Sequence, residues 1–241
     1  MPASLHHPPL AHVVLTLFAR GQICRSWSAV LIAAAFCFMG SNAMADSAAN
    51  FEADVVGAPP AGWTATKTGT GNPQWTVEQD ATAPSHSRVV KQSGNATYPV
   101  LLKNDTNIKD GFIEMKFKPI AGAEDRAAGL MWRAKDADNY YVLRANALED
   151  NVVLYKTVKG VRRPLDIVGR AGGYGVKIAV PANQWGSLRV EFAGRRFKAI
   201  YNGQTVFEVE DDTFPEAGMV GLWTKADSVT LFDAITYGSS K

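Results

Sequence analysis

Hydrophobic and polar positions alternate most regularly between Ala127 and Thr157 (AAGLMWRAKDADNYYVLRANALEDNVVLYKT). A period of two places successive side chains on opposite faces of a strand. The pattern predicts three consecutive antiparallel strands joined by two short polar loops. With Lys135-Asp136-Ala137-Asp138 as the first loop, Ala134 lies opposite Asn139. Leu130, Trp132, Tyr141 and Leu143 then share one face, which reads as core. Gly129, Met131, Arg133, Tyr140, Val142 and Arg144 share the other. A four-residue turn over Ala147 to Asp150 adds Val153 and Tyr155 to that second face. Two arginines and two tyrosines there mark a candidate binding face. A slip of one residue would exchange the two faces.

The flanking sequence repeats the signal in shorter pieces. Strands are expected at Trp63 to Lys67, Trp75 to Gln79, Arg88 to Gln92 and Tyr98 to Lys103. After Asp110-Gly111, Ile113, Met115 and Phe117 alternate with Glu114, Lys116 and Lys118, until Pro119 ends the strand. Val161 to Val168 reads as a further strand, leading into the glycine cluster Gly169 to Gly175. That cluster lacks the Gly-Lys-Ser/Thr ending of a phosphate loop and reads as a connection. Leu188 to Phe192 follows. Phe197 to Tyr201 and Gln204 to Val209 flank Asn202-Gly203, a strong hairpin signal. Gly218 to Thr224 and Val229 to Ile235 complete the set. Short strands at this spacing, with no apolar period of 3.6 residues, predict one all-β domain.

The amino-terminal segment follows a different pattern. Ala29 to Met39 is a short apolar run preceded by Arg20 and Arg25 and followed by Ala43-Met44-Ala45. That is the layout of a secretory signal peptide, expected over residues 1–45 with cleavage after Ala45. The run is shorter than the ~20 residues that span a bilayer. Export, to the periplasm or beyond the cell, follows as an expectation. Both cysteines, Cys24 and Cys37, lie in this segment, so the domain over 46–241 is expected to be held by its core alone. The chain carries 25 basic and 23 acidic residues. Removing Arg20 and Arg25 balances the charge, which leaves no electrostatic case for nucleic acid or an anionic membrane surface.

Several segments carry a family likeness: Gly129-Leu-Met-Trp-Arg133, Asn139-Tyr-Tyr-Val-Leu-Arg144, Trp185 to Gly203, and Gly221 to Ser228 with Phe232-Asp233. With them the sequence resembles the 3-keto-disaccharide hydrolase domain family, related to family 16 glycoside hydrolases, from about Phe51 to Tyr237. The resemblance implies a concanavalin A-like or laminin-G-like jelly-roll β-sandwich of two curved antiparallel sheets. It also implies an exported protein and a carbohydrate substrate. One fold hosts many functions, so it guides the activity poorly. The Glu-x-Asp-x-x-Glu strand of family 16 glycosidases does not occur here. Glu114 has a lysine two residues on. Retaining hydrolysis needs two carboxyl groups about 5–5.5 Å apart, so the direct family 16 mechanism is not expected.

The candidate substrate-binding residues are Arg133, Tyr140, Arg144, Tyr155, Trp223, Lys225 and Asp227. Arginine presents a planar fork of donors to hydroxyls or a carboxylate, or it pairs with a nearby acid and packs over the sheet. Tyr155 and Trp223 either stack sugar rings or fill core. Lys225 and Asp227 share a loop beside Trp223, where Asp227 either binds ligand or shapes the turn. For a general base only loop position speaks, and it offers Asp227 or Glu149. Asp136-Ala-Asp138-Asn139 lacks the glycine and closing glutamate of a calcium loop. No cofactor is expected, although laminin-G-like domains often hold a structural calcium. His86, in a polar run, reads as an exposed loop histidine. Two functions stay open: a hydrolase or lyase on carbohydrate, and a non-catalytic carbohydrate-binding or adhesion module. Either is expected to be a monomer with a carbohydrate ligand, no nucleic acid partner and no membrane span.

Overall fold

The computed structural model describes residues 47–170 and 172–240. The expected leader over 1–45 lies outside them, as do its two cysteines and the Ala45 cleavage point. The described residues form strands, turns and loops, with no helix among them. Accordingly, no helix among them is long and apolar enough to cross a membrane.

Sixteen strands follow one another among the described residues. The first six are β1 (Ser47–Ala49), β2 (Trp63–Asn72), β3 (Trp75–Gln79), β4 (Arg88–Gln92), β5 (Asn95–Lys103) and β6 (Gly111–Ala121). The central meander is β7 (Ala127–Asp136), β8 (Asn139–Asn146) and β9 (Asn151–Val158). Then come β10 (Val161–Pro164), β11 (Val176–Lys177), β12 (Gly186–Ala193), β13 (Arg196–Tyr201) and β14 (Gln204–Glu210). The last two are β15 (Met219–Trp223) and β16 (Val229–Ser239). They build two antiparallel sheets, a jelly-roll sandwich as expected. One sheet runs β14-β13-β12-β6-β16-β4-β3, with β1 on β16. The other runs β10-β9-β8-β7-β15-β5-β2, with β11 on β9.

The alternation read in the meander holds for its core-facing positions. Leu130 pairs with Leu143 and Trp132 with Tyr141, and these four side chains are buried between the sheets. Trp132 stacks on Tyr141 at 5.4 Å and on Phe192 at 5.9 Å, and meets the edge of Phe197 at 5.3 Å. Trp132 thus ties β7 and β8 to the facing strands β12 and β13. Removing such a ring from a packed core costs about 3–5 kcal/mol. The Ala147–Asp150 turn is the expected four-residue loop, with Asn146 opposite Asn151.

The first hairpin turns out tighter than expected. Asp136 pairs with Asn139, and the register shifts between Trp132 and Asp136. The Asp136 carboxylate accepts from the Asp138 N–H at 2.7 Å and from the Asn139 side chain, which drives a two-residue turn at Ala137-Asp138. The surplus residues form a bulge in which Arg133 takes a φ of 45°. A side chain at Gly218 would fall 2.6 Å from the Arg133 carbonyl carbon, so only glycine lets β15 approach that bulge.

The expected strand over Val161 to Val168 also ends early. Pro164 has no N–H for the ladder. Beyond it the chain crosses to the other sheet, where Ile167 bridges Val209 and the Val168 N–H donates to Glu208 O at 2.9 Å.

The opposite face of the meander sheet is concave, and side chains fill it. Val100, Leu102, Met131, Tyr140, Val142, Val153, Tyr155 and Trp223 form a second buried cluster there. In the sheet order β10 and β5 stand five places apart, which is about 24 Å in a flat sheet. Yet the Arg162 guanidinium on β10 lies 4.8 Å from the Tyr98 ring on β5. The sheet therefore curls strongly on itself. The Tyr140 hydroxyl helps close the curl through Thr68 Oγ1 of β2 at 2.8 Å and Trp223 Nε1 at 3.2 Å.

Candidate functional site

The site grows from the turn between β8 and β9. The Asn146 side-chain oxygen accepts from the N–H groups of Leu148 and Glu149 at 2.8 and 3.2 Å, which fixes that turn. Glu149 is thereby presented over the end of the concave face, its side chain 37% exposed. Arg144, fully buried in β8, meets it with both terminal nitrogens, Nη2 at 2.8 Å and Nη1 at 3.3 Å. Asn151 joins the pair, accepting from Arg144 Nη2 at 2.7 Å and donating to Glu149 Oε2 at 2.8 Å.

A second ion pair sits beside the first. Asn146 Nδ2 donates to Asp125 Oδ1 at 2.9 Å and to Glu149 Oε1 at 3.3 Å. The Lys225 ammonium donates to Asp125 Oδ2 at 2.6 Å. Asp125 is buried, while Lys225 is partly open to solvent. Asp227 acts on the loop that carries Asp125: its carboxylate accepts from the N–H groups of Ala123 at 2.7 Å and of Glu124 and Asp125 at about 3 Å. Glycine is required at position 122 of this loop, where φ is 131° and a Cβ would fall 1.9 Å from Asp125 O.

Aromatic rings border the charges. Tyr155 and Tyr174 meet edge to face, and their hydroxyls are hydrogen bonded. Arg144 lies over both rings, at 5.5 and 5.8 Å. Tyr155 is buried and Tyr174 is 47% exposed. Tyr98 packs on Trp223 at 5.3 Å. A cavity of about 300 Å³ opens beside Tyr98, Lys225 and Glu124.

The electrostatics fix the protonation states. Burial raises the Glu149 pKa, but hydrogen bonds from Arg144 and Asn151, with the Arg144 and Lys225 charges, outweigh it and hold the group below its ordinary value. Burial opposes the charge on Arg144, yet Tyr155 and Glu149 more than offset this and raise its pKa. Burial pushes the Tyr155 hydroxyl well up. Glu149 is thus a carboxylate and Tyr155 a neutral phenol at neutral pH.

The structure brings Arg144, Tyr155, Trp223 and Lys225 into one neighbourhood, together with Glu149. Tyr140 lies beneath them, buried and bonded to Trp223. Asp227 supports a loop through main-chain contacts. Arg133 is absent from this face, because the β7 bulge turns it away. Its guanidinium donates to the carbonyls of Lys109 at 2.7 Å, Gly194 at 2.8 Å and Phe214 at 3.0 Å, and to Asp110 at 3.0 Å. His86 is exposed in the β3–β4 loop. Among the described residues no group of three or more histidines, cysteines or acids is placed to hold a metal ion. Asp125, Asn146, Asn151, Arg162 and Tyr174 were not legible as site residues. The pairing of Asn146 with Asn151 across a four-residue turn was the one available signal.

Comparison with known proteins agrees with this architecture. A family model described as the 3-keto-alpha-glucoside-1,2-lyase-like domain matches residues 54–236. The chain is similar in structure to the carbohydrate binding module CBM66 from Bacillus subtilis, at 23% identity and a TM-score of 0.59. That match covers 74% of this chain and 96% of the module. It is also similar to the cellulose induced protein Cip1, at 15% identity and a TM-score of 0.58, covering 80% of this chain and 97% of that one. At these identities the likeness concerns the fold. No curated protein matches the chain.

Proposed function

The chain belongs to the 3-keto-α-glucoside-1,2-lyase-like domain family, and from that premise we propose that it is an exported, monomeric protein that recognises glycosides at the mouth of its concave face. The observation that carries this reading is the setting of Glu149. Its carboxylate is ionised, partly exposed, and clamped from below by Arg144, Asn146 and Asn151. A fixed acceptor beside the half-exposed ring of Tyr174 and the ammonium of Lys225 suits a sugar, which offers hydroxyl donors and an apolar ring face. Because its pKa is held down, Glu149 accepts hydrogen bonds at neutral pH and does not protonate a leaving group.

The carboxylate, paired with Arg144 and within the field of the Lys225 ammonium, favours a second reading, elimination from a glycoside bearing a ketone at carbon 3. The ketone acidifies the proton on carbon 2. Glu149 would take that proton, the electron pair would form a carbon 1–carbon 2 double bond, and the carbon 1–oxygen bond would break. The leaving alkoxide would take a proton from water. Lys225, the partly exposed cation, would stabilise the negative charge that develops on the ketone oxygen, while Arg144 holds Glu149 in place.

Incubating the purified chain with a glycan panel that includes 3-keto disaccharides separates the two. Saturable binding without product, lost in Tyr174→Ala and Glu149→Gln, supports recognition alone. Product release lost in Glu149→Gln while binding persists supports elimination. Neither binding nor product for any glycan would overturn both readings.

A further inference from the structure

Arg162 stands apart from the other cations of the concave face. Arg144 is matched by Glu149 and Lys225 by Asp125. No acid among the described residues pairs with Arg162. Its guanidinium instead lies over three rings from three strands: Tyr155 of β9 at 4.3 Å, Tyr98 of β5 at 4.8 Å and Trp223 of β15 at 5.3 Å. Rings hold the charge through their π faces. They leave its donors unused, and Arg162 Nη1 is buried with no hydrogen-bond partner. A buried donor left unmade is costly, and this one, on a guanidinium that no acid answers, has room for a partner such as a ligand anion.

The chemistry of that partner follows from the fork. A guanidinium presents parallel N–H groups at the spacing of a carboxylate's two oxygens. The surrounding charges agree. Arg144, Lys225 and Arg162 face Asp125 and Glu149, which leaves one positive charge unanswered, and Glu124 at the cavity rim is exposed to water. Access is available too. Tyr98, one of the rings beneath Arg162, lines the same 300 Å³ cavity as Lys225. A sugar seated there would touch Lys225 and the Tyr98 ring, and the Arg162 guanidinium lies 4.8 Å from that ring.

We propose that Arg162 is a specificity-determining residue that selects sugars carrying a carboxylate, uronic acids, over their neutral counterparts. This rests on the glycoside-recognition reading and adds the class of sugar to it.

The test compares cellobiouronic acid with cellobiose, and glucuronide with glucoside disaccharides of the α series, by calorimetric titration of the full chain. Wild type is expected to bind the acid of each pair roughly tenfold or more tightly. Added salt should narrow that gap. In Arg162→Gln the gap between the acid and its neutral counterpart should close. Arg162→Lys keeps the charge and loses the planar fork. It should retain only part of the preference, and it carries the test if Arg162→Gln does not fold. Neutral sugars bound as well as acids would overturn the proposal and leave glycoside recognition standing. The same holds for a sulfated sugar preferred to the uronate. Failure of acidic and neutral sugars alike would overturn both.

Discussion

Lys225 reaches across from the β15–β16 loop to place its ammonium 2.6 Å from the Asp125 carboxylate, which is 1% exposed. The contact joins positions a hundred residues apart in sequence and fixes one wall of the proposed sugar site. Removing Lys225 leaves a buried carboxylate short of a partner, although Asn146 still donates to it. Lys225→Met should therefore destabilise the fold by about 1–3 kcal/mol. Asp125→Asn on top of it should restore part of that loss, since no charge then remains buried. Urea unfolding of both single variants and the double variant reads the coupling directly.

Asp227 gives the acid side of the stability profile. Burial works to raise its pKa, but the N–H groups of Ala123, Asp125 and Glu124 outweigh that and hold it below its ordinary 3.8. Glu149 and Asp211 are lowered in the same sense. A carboxylate whose pKa is lower in the folded state contributes stability above its unfolded pKa and loses it as pH falls through the folded one. The melting temperature should thus drop as pH is lowered from about 5 to 3. Asp227→Asn should melt below wild type at neutral pH, and the gap should shrink on acidification. A gap that stays constant with pH would show that the Asp227 charge contributes nothing.

Arg133 bridges the two sheets at one end of the sandwich, donating to three carbonyls and to Asp110 while its guanidinium lies 5.5 Å from the Phe197 ring. Arg133→Met should cost about 3 kcal/mol or more, because it takes a donor from three carbonyls at once and the charge partner from Asp110. In protein that remains folded at low temperature, glycoside affinity should match wild type. A large loss of affinity without loss of stability would put Arg133 back among the ligand-binding residues.

The contrast between Arg133 and Arg144 shows what pattern alone conveys. Strict alternation placed both on one face, and for Arg144, Tyr140, Val153 and Tyr155 the pleat obeys it. At Arg133 a local event intervenes: the Asp136 carboxylate tightens the turn, and the surplus residues become a bulge. That event depends on one side-chain acceptor and on Gly218 in a distant strand, neither visible in the period of two. The strands and the Asn202-Gly203 hairpin were legible because their signals are local. Asp125 and Arg162 were not, because their roles arise from contacts between segments distant in sequence. The curl sets β10 against β5, and the pairing of β6 with β16 and of β7 with β15 sets loop 122–126 against Lys225; no spacing in the sequence records either.

Calorimetric titration of a 3-keto disaccharide into wild type, Glu149→Gln and Phe112→Ala tests the central claim most directly. Phe112 lines a separate cavity of about 460 Å³ with Arg189 and Glu191, away from the concave face. If the sugar site is the one built around Arg144, Glu149 and Lys225, Glu149→Gln should weaken binding roughly tenfold or more, as losing a charged hydrogen bond does, and Phe112→Ala should leave it unchanged. Binding that survives Glu149→Gln and disappears in Phe112→Ala would contradict the assignment and move the ligand to the other sheet.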